Sequence, residues 1–139
     1  MRILCLDVGD KYIGMAVSDA LGLTAQGIGV LKRKNDAECD VNEIIKIVQK
    51  YNAEKIIVGL PKNMNGSLGP QGKKVLEFVD ILRRKIEVPI IEWDERLSTK
   101  AAEKILLEGN VSRKKRKKVI DKVAAVFILQ SYLDYLKSE

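Results

Sequence analysis

The fold of this chain is decided by residues 2–18, which read RILCLDVGDKYIGMAVS. Residues 2–8 form an apolar run that Asp7 interrupts and a glycine ends, so they predict a buried strand. Residues 12–18 predict a second strand, which returns through a tight turn that contains glycine. Residues 24–31 predict a third strand, although two glycines weaken its pattern. Together these segments predict an antiparallel meander.

Beyond the meander, the patterns of helix and strand alternate. The expected elements are a helix over 36–51 capped by Asn35 or Asp36, a strand over 55–59, a loop over 59–72, a helix to about 85, a strand over 89–93, a short helix over 97–107 and a last helix capped by Ser112. This order predicts an α/β fold. Its central five-stranded mixed sheet would have antiparallel first strands, parallel later strands and helices on both faces. A length of 139 residues predicts a single domain over 1–139.

The composition excludes several classes of protein. The chain has no histidine, so a Ser-His-Asp triad and a histidine zinc site are both ruled out. Cys5 and Cys39 form no CxxC pair, which argues against a disulfide framework. No apolar stretch is long enough to span a bilayer, and the first residues resemble a strand rather than a signal peptide. We therefore expect a cytoplasmic protein and no membrane partner.

The positive charge of the chain is unevenly distributed. The net charge is +6, of which residues 1–70 carry +1 and residues 71–139 carry +5. Much of the surplus lies in the run Arg113-Lys114-Lys115-Arg116-Lys117-Lys118. A basic, asymmetric chain favours a polyanionic partner, here a nucleic acid. A solvated start of the last helix would explain the same run.

Acidic residues occupy positions where apolar ones are expected. Asp7 interrupts the first strand, Asp94 and Glu95 follow the fifth strand, and Asp121 lies on the apolar stripe of the last helix. Taken singly, each has a structural alternative, such as a turn hydrogen bond, a helix cap or an ion pair with a neighbouring lysine. Taken together, they predict a site for Mg²⁺ or Mn²⁺, because both ions prefer oxygen ligands. Two such ions can hydrolyse a phosphodiester without histidine.

Four sequence blocks carry a resemblance to a known family. They are residues 6–19 (LDVGDKYIGMAVSD), residues 59–71 (GLPKNMNGSLGPQ), residues 94–99 (DERLST) and residues 121–130 (DKVAAVFILQ). In this order, they resemble the YqgF family of pre-16S rRNA nucleases, whose members are also described as Holliday junction resolvases. The resemblance runs nearly from end to end.

The resemblance implies a ribonuclease H-like fold and metal-dependent nuclease activity. It assigns Asp7, Glu95 and Asp121 as the catalytic metal ligands, with Asp94 as a rival to Glu95. The chain departs from the family pattern at two positions. Asp10 replaces the usual Thr and adds a negative charge near the site, and Lys62 replaces an apolar residue. Neither departure removes an expected ligand.

Several basic residues are candidates for nucleic-acid binding. They are Lys11, Lys62, Arg96, Arg113, Lys114, Arg116 and Lys117. The loop over 59–72 could bind a phosphate through backbone amides at the start of the next helix, together with Lys62 and Lys73. The same glycines and prolines could simply form a turn. Arg96 could equally pair with Asp94.

The expected function is metal-dependent endonucleolytic processing of pre-16S rRNA during ribosome biogenesis. One alternative is a Holliday junction resolvase acting on branched DNA, which would need two active sites and hence a dimer. A second alternative is a nucleic-acid-binding module without catalysis. An actin-like nucleotide-binding enzyme is disfavoured, because that architecture closes two domains over its nucleotide. The sequence leaves the oligomeric state open.

Overall fold

The computed structural model describes residues 2–94 and 113–137, and within 113–137 it describes side chains from residue 123 onwards. The elements are the strands β1 (Arg2–Val8), β2 (Tyr12–Ser18), β3 (Ala25–Lys32), β4 (Ala53–Leu60) and β5 (Ile90–Asp94), and the helices α1 (Ala37–Tyr51), α2 (Pro70–Lys85) and α3 (Arg113–Lys137). No helix of the described part of the chain is long and apolar enough to cross a membrane.

The five strands form one mixed sheet in the order β3-β2-β1-β4-β5. The pairs β1–β2 and β2–β3 are antiparallel, whereas β1–β4 and β4–β5 are parallel. This arrangement confirms the expected mixed sheet. Its central strand is β1, whose residues Ile3 to Leu6 are buried. Burial on both faces explains why residues 3–6 of β1 are all apolar instead of alternating with polar residues.

Alternate residues of β1 belong to two different cores. Leu4, Leu6 and Val8 pack in a cluster with residues of α1 and α2. Ile3 and Cys5 pack in a second cluster, with residues of α3. Successive side chains of a strand point to opposite faces, so the sheet has an α1/α2 face and an α3 face. Helices therefore cover both faces, as expected.

The start and end of α1 follow from local chemistry. The Asp36 side chain accepts a hydrogen bond from the Glu38 N–H at 3.0 Å, which identifies Asp36 rather than Asn35 as the cap. The helix ends at Asn52, whose φ of 53° is left-handed and whose N–H donates to Gln49 O. Asparagine tolerates this conformation better than most residues.

The boundaries around β4 differ from those expected. The strand begins at Ala53 rather than residue 55, because pairing with β1 continues past the β-branched run. Helix α2 begins at Pro70, so the loop is shorter than expected; proline fits the first helical turn. A Cβ on Gly72 would lie 2.8 Å from Pro61 O, so only glycine allows this approach of helix and loop. The expected helix over 97–107 and the Ser112 cap lie outside the described residues.

Candidate active site

Asp7 lies near the end of β1, half-buried, between two glycines of the neighbouring strands. It pairs with Gly14 in β2. On the other side, Leu6 pairs with Val58, so Gly59 of β4 is level with Asp7. Residues level with one another in a sheet project to the same face. Because neither neighbour has a side chain, no side chain of β2 or β4 stands beside the Asp7 carboxylate within this row.

The row that contains Asp7 lies on the α3 face. Asp7 alternates with Val8 and therefore shares its face with Ile3 and Cys5. Gly59 pairs with Trp93, which extends the same row to β5. The Trp93 ring packs edge-on against Tyr132 of α3, with centroids 5.2 Å apart. The indole N–H of Trp93 donates to Ser131 Oγ at 3.3 Å.

Asp94 projects to the opposite face from Asp7. It pairs with Leu60, which belongs to the core of the α1/α2 face. The pleat of β5 puts Trp93 on the α3 face and Asp94 on the α1/α2 face. Glu95, the other candidate of this block, lies outside the described residues.

The acidic residue that departs from the family pattern is already paired with a base. Asp10 lies in the tight turn between β1 and β2, and its side chain is 63% exposed. Lys74 Nζ of α2 lies 3.4 Å from Asp10 Oδ1. This pair offsets the negative charge that Asp10 adds near Asp7. Lys11 follows in the same turn and is exposed, as a substrate-binding lysine would be.

The two carbonyls that directly follow Asp7 are both bound by side chains. Val8 O accepts a hydrogen bond from Gln71 Nε2 at 3.3 Å. Gly9 O accepts one from Arg33 Nη1 at 2.9 Å. Arg33 Nε in turn donates to Asp40 Oδ2 at 3.0 Å. Side chains from α2 and from the end of β3 thus converge on the exit of β1.

The sequence reading missed this arrangement, although a signal for it was present. Asp40 is an acid on the apolar stripe of α1, four residues before Ile44 and beside Val41. The same pattern predicts a functional role for Asp121. Such an acid indicates a compensated buried charge, but the pattern cannot name Arg33 as the compensating group.

The loop between β4 and α2 is held by its own hydrogen bonds. Asn63 N–H donates to Ser67 O at 2.8 Å, and Gly66 N–H donates to Asn63 O at 2.8 Å. Ser67 N–H donates to Asn65 Oδ1 at 3.0 Å. Lys62 precedes this turn and is half-buried. Since the loop follows β4, it stands at the same edge of the sheet as the end of β1.

Two further aspartates have structural roles. Hydrogen bonds from the N–H groups of Leu23 and Thr24 hold the pKa of Asp19 below its ordinary value. They close the turn between β2 and β3. The Cys39 thiol and then the Glu38 N–H lower the pKa of the capping residue Asp36. Favourable hydrogen bonds to the ionised form explain both shifts.

Most of the other expected site residues lie beyond the described part of the structure. Arg96 is outside it, as are the side chains of Arg113, Lys114, Arg116, Lys117 and Asp121, whose backbone belongs to α3. Within the described residues, no three acidic, cysteine or histidine side chains form a metal-binding group.

Solved structures share the architecture of this chain. RuvC of Thermus thermophilus in complex with a Holliday junction substrate matches with a TM-score of 0.60 and 16% identity, over 99% of this chain and 96% of that one. A second structure of Thermus thermophilus RuvC matches with a TM-score of 0.54, over 99% and 97%. The fold is therefore ribonuclease H-like, as the sequence resemblance implied.

The sequence comparisons define the family more narrowly. A protein of Clostridium tetani named "Putative pre-16S rRNA nuclease" is 59% identical over 134 residues, which cover 96% of both chains. A protein of the same name from Desulforamulus reducens is 59% identical over 96% of this chain and 97% of its own. The chain belongs to the RuvX family, whose model is described as Holliday junction resolvase and matches residues 1–135. The resemblance to the YqgF family is thereby confirmed.

Proposed function

We propose that this chain is a metal-dependent endonuclease that hydrolyses phosphodiester bonds of pre-16S rRNA. The observation that carries the proposal is the position of Asp7 on the α3 face, flanked by Gly14 and Gly59. Glycines at both neighbouring strand positions keep strand side chains away from this carboxylate, as a site for a cation and a phosphate requires. In open sheets, ligands bind at the carboxyl ends of parallel strands, and Asp7 is the last residue but one of β1. The name of the relatives supports the choice of substrate.

The strand register supports Glu95 over Asp94 as the second ligand. Asp94 shares the α1/α2 face with Leu60, so its carboxylate projects away from the Asp7 row. Side chains alternate along a strand, so Asp94 in β5 does not share a face with Asp7. This leaves Glu95 as the candidate of this block.

The geometry of α3 supports Asp121 as the third ligand. Gln130 Oε1 accepts a hydrogen bond from the Ala25 N–H at 3.0 Å. Ala25 pairs with Ser18 of β2. The Ser18 hydroxyl accepts a hydrogen bond from the Ile3 N–H of β1. Gln130 is thus level with the start of β1. Upstream of it, Ala125 packs in the same cluster as Ile3 and Cys5 of β1.

The two distances along helix and strand agree. Nine helical residues separate Gln130 from Asp121, a rise of about 13 Å. Four strand residues separate Ile3 from Asp7, also about 13 Å. Asp121 is also four residues before Ala125 and seven before Ile128, both buried against the sheet. This helical spacing in the sequence supports our choice of Asp121 as a ligand.

The chemistry of these residues fits Mg²⁺ or Mn²⁺. All three proposed ligands are carboxylates, which hard divalent cations prefer over nitrogen and sulfur donors. When bound, a pair of such ions supplies an activated water and stabilises the leaving oxygen, and this is the two-metal mechanism that we propose. Lys11 and Lys62, at the same edge of the sheet, would bind phosphates of the substrate, as would Arg96. The lysine and arginine run at the start of α3 would add affinity that does not depend on sequence.

Cleavage of branched DNA is the second candidate function. The description of the family model favours it. A resolvase cuts two strands symmetrically, so a stable two-fold dimer would support this candidate. A module that binds nucleic acid without cutting it is the third candidate. We further propose one domain over residues 1–139 and a cytoplasmic location, where pre-16S rRNA is processed.

The test compares cleavage of an RNA spanning a 16S rRNA end with cleavage of a four-way DNA junction. We expect the RNA to be cut with Mg²⁺ or Mn²⁺, and neither substrate to be cut with Ca²⁺ or with a chelator. Ca²⁺ prefers longer and looser coordination. Preferred cleavage of the junction would favour the resolvase. Full activity in chelator would exclude the metal mechanism, and binding without cleavage under all conditions would favour the non-catalytic module.

A further inference from the structure

The backbone that follows Asp7 is anchored from two sides. Gln71 of α2 donates to Val8 O, and Arg33 at the end of β3 donates to Gly9 O. The Arg33 backbone also binds this turn, because its N–H donates to Lys11 O at 2.8 Å. The segment carrying Asp7 is therefore tied to α2 and to β3 by bonds outside the β1–β2 pairing.

Arg33 is itself fixed by several contacts. Its side chain is 19% exposed and that of Asp40 only 2%. Asp40 uses both oxygens, since Oδ2 accepts from Arg33 Nε and Oδ1 accepts from the Lys34 N–H at 3.0 Å. The guanidinium also lies 5.2 Å from the centroid of the Phe78 ring. A guanidinium in such surroundings has little freedom, so the bond to Gly9 O holds the turn in one place.

Arginine is required for this arrangement because it presents two separate donors. Nε serves Asp40 and Nη1 serves Gly9. Lysine offers a single nitrogen on a flexible stem and cannot reproduce the fork. Replacement by lysine keeps the charge that Asp40 needs but releases one of the two bonds.

We infer that Arg33, held by Asp40, and Gln71 are positioning residues that orient Asp7 in the nuclease site. This inference rests on the proposed function. A carboxylate displaced by about 1 Å can cost an enzyme about a hundredfold in rate. These ties, the hydrogen bonds from Gln71 to Val8 O and from Arg33 to Gly9 O, fix the backbone directly after Asp7. They thereby fix the direction in which the Asp7 side chain projects from β1.

The experiment uses Arg33→Lys and Gln71→Met, which remove one tie each. Arg83→Lys is the matched control. Arg83 also donates to a carboxylate, Glu92, and to a backbone carbonyl, Ile90 O. Ile90 starts β5, the edge strand, and is level with Leu4 of β1, three residues before Asp7. The control therefore loses a comparable fork that does not contact the turn after Asp7.

The measurements are kcat and KM on the preferred substrate, the Mn²⁺ concentration for half-maximal rate, and Tm with and without Mn²⁺. We expect Arg33→Lys and Gln71→Met to lower kcat about 10- to 100-fold, as for groups that orient metal ligands. Both variants should need a higher Mn²⁺ concentration for half-maximal rate, and both should show a smaller rise in Tm when Mn²⁺ is added. KM for the nucleic acid should stay within about twofold, because neither change alters the substrate-binding lysines. The control should match the wild type in all of these values.

Wild-type kcat and Mn²⁺ dependence in both variants, with only Tm lowered, would show that the ties stabilise the fold and nothing more. Gln71→Met guards against misfolding of the arginine variant, since it removes a single 3.3 Å bond. A wild type that neither cleaves nor gains Tm with Mn²⁺ would overturn the proposed function itself. This result would come from the wild-type protein alone. It can therefore be distinguished from a failure of the inference about Arg33 and Gln71.

Discussion

The two faces of the sheet differ in what their side chains do. On the α1/α2 face, the cluster is large and apolar, and its embedded ion pair, Arg33 with Asp40, is satisfied on both sides. On the α3 face, the described cluster includes Ile3 and Cys5 of β1, and Asp7 continues their row beside glycines of the neighbouring strands. One face thus holds the backbone of β1 in place, and the other carries the carboxylate that we propose as a metal ligand.

Strand β1 belongs to both faces at once. Val8 anchors it among the apolar side chains of α1 and α2, while Asp7, one residue earlier, projects to the α3 face. Because alternate side chains serve alternate faces, changes on one face should act on stability and changes on the other on catalysis. The following predictions test that division.

The largest effect is expected from Asp7→Asn. The change keeps the shape of the side chain but removes a charged ligand. Loss of groups that merely orient a ligand costs about 10- to 100-fold, so we expect loss of the ligand to lower kcat more than a hundredfold while the protein stays folded. Parallel assays of Glu95→Gln and Asp94→Asn should show the first inactive and the second active. Near-normal turnover of Asp7→Asn would remove Asp7 from the site.

Leu82→Ala should cost a comparable free energy, but in the stability of the fold and not in catalysis. Leu82 is fully buried on the α1/α2 face, whereas Leu76 of the same helix is only half-buried. A Leu→Ala change in a packed core costs about 3–5 kcal/mol, so urea melts should show that loss for Leu82 and a smaller one for Leu76→Ala. The kcat of the folded fraction should not change. A fall in kcat beyond the unfolded fraction would show that the two faces are not separable.

Gly14→Ala should have opposite effects on activity and stability. The φ of Gly14 is not in the left-handed region, so alanine can adopt its backbone, and replacing a strand glycine can add about 0.5–1 kcal/mol. The added methyl group would stand beside Asp7, where we expect it to lower kcat about 10- to 100-fold. Melts and single-turnover rates measure the two effects. A lower Tm with unchanged kcat would show that this glycine serves the packing of α3 instead.

A smaller effect is expected from the basic run of α3. The four changes to alanine are at Arg113, Lys114, Arg116 and Lys117. Each residue that neutralises a phosphate contributes about 0.7–0.9 to the slope of log affinity against log salt, so the slope should flatten. The control removes four charges from α1 and α2, namely Lys46, Lys50, Arg83 and Arg84. Equal slopes for the wild type and the α3 variant would identify the run as a solvated helix start.

Local patterns predicted most of the described fold. The apolar run of β1, the turn after it and the capping side chain of α1 are signals contained within a few residues, and the structure confirms all three. The bounds of β4 and α2 were less accurate, because β4 extends to Ala53 through its pairing with β1 and α2 already begins at Pro70. Pro70 is a local signal for a helix start, whereas the sequence contains no local signal for the pairing of Ala53.

The candidate site was predictable only in part. Asp7 was identified from the residues, but the face to which it projects depends on strand register, and so does the choice between Asp94 and Glu95. The ties of Arg33 and Gln71 to carbonyls 24 and 63 residues away are contacts between distant parts of the chain. No periodicity along the sequence encodes such partners.

The smallest effect is expected from the cap of α1, on the stabilising face. Asp36→Ala removes the acceptor of the Glu38 N–H, and we expect Tm to fall by about 2–6 °C at pH 7 with kcat unchanged. The Cys39 thiol and the Glu38 N–H hold the folded-state pKa of Asp36 below its ordinary value. A lowered carboxyl pKa contributes stability above the unfolded-state pKa and loses it as pH falls through the folded-state pKa. The Tm difference between wild type and Asp36→Ala should therefore narrow below about pH 4.

Two further variants separate the charge from the hydrogen bond. Asp36→Asn keeps an acceptor oxygen without a charge, so its Tm at pH 7 should lie between those of wild type and Asp36→Ala. Cys39→Ala removes the largest cause of the shift and should move the narrowing to higher pH. A difference that stays constant down to about pH 2 would show that the cap acts without its charge.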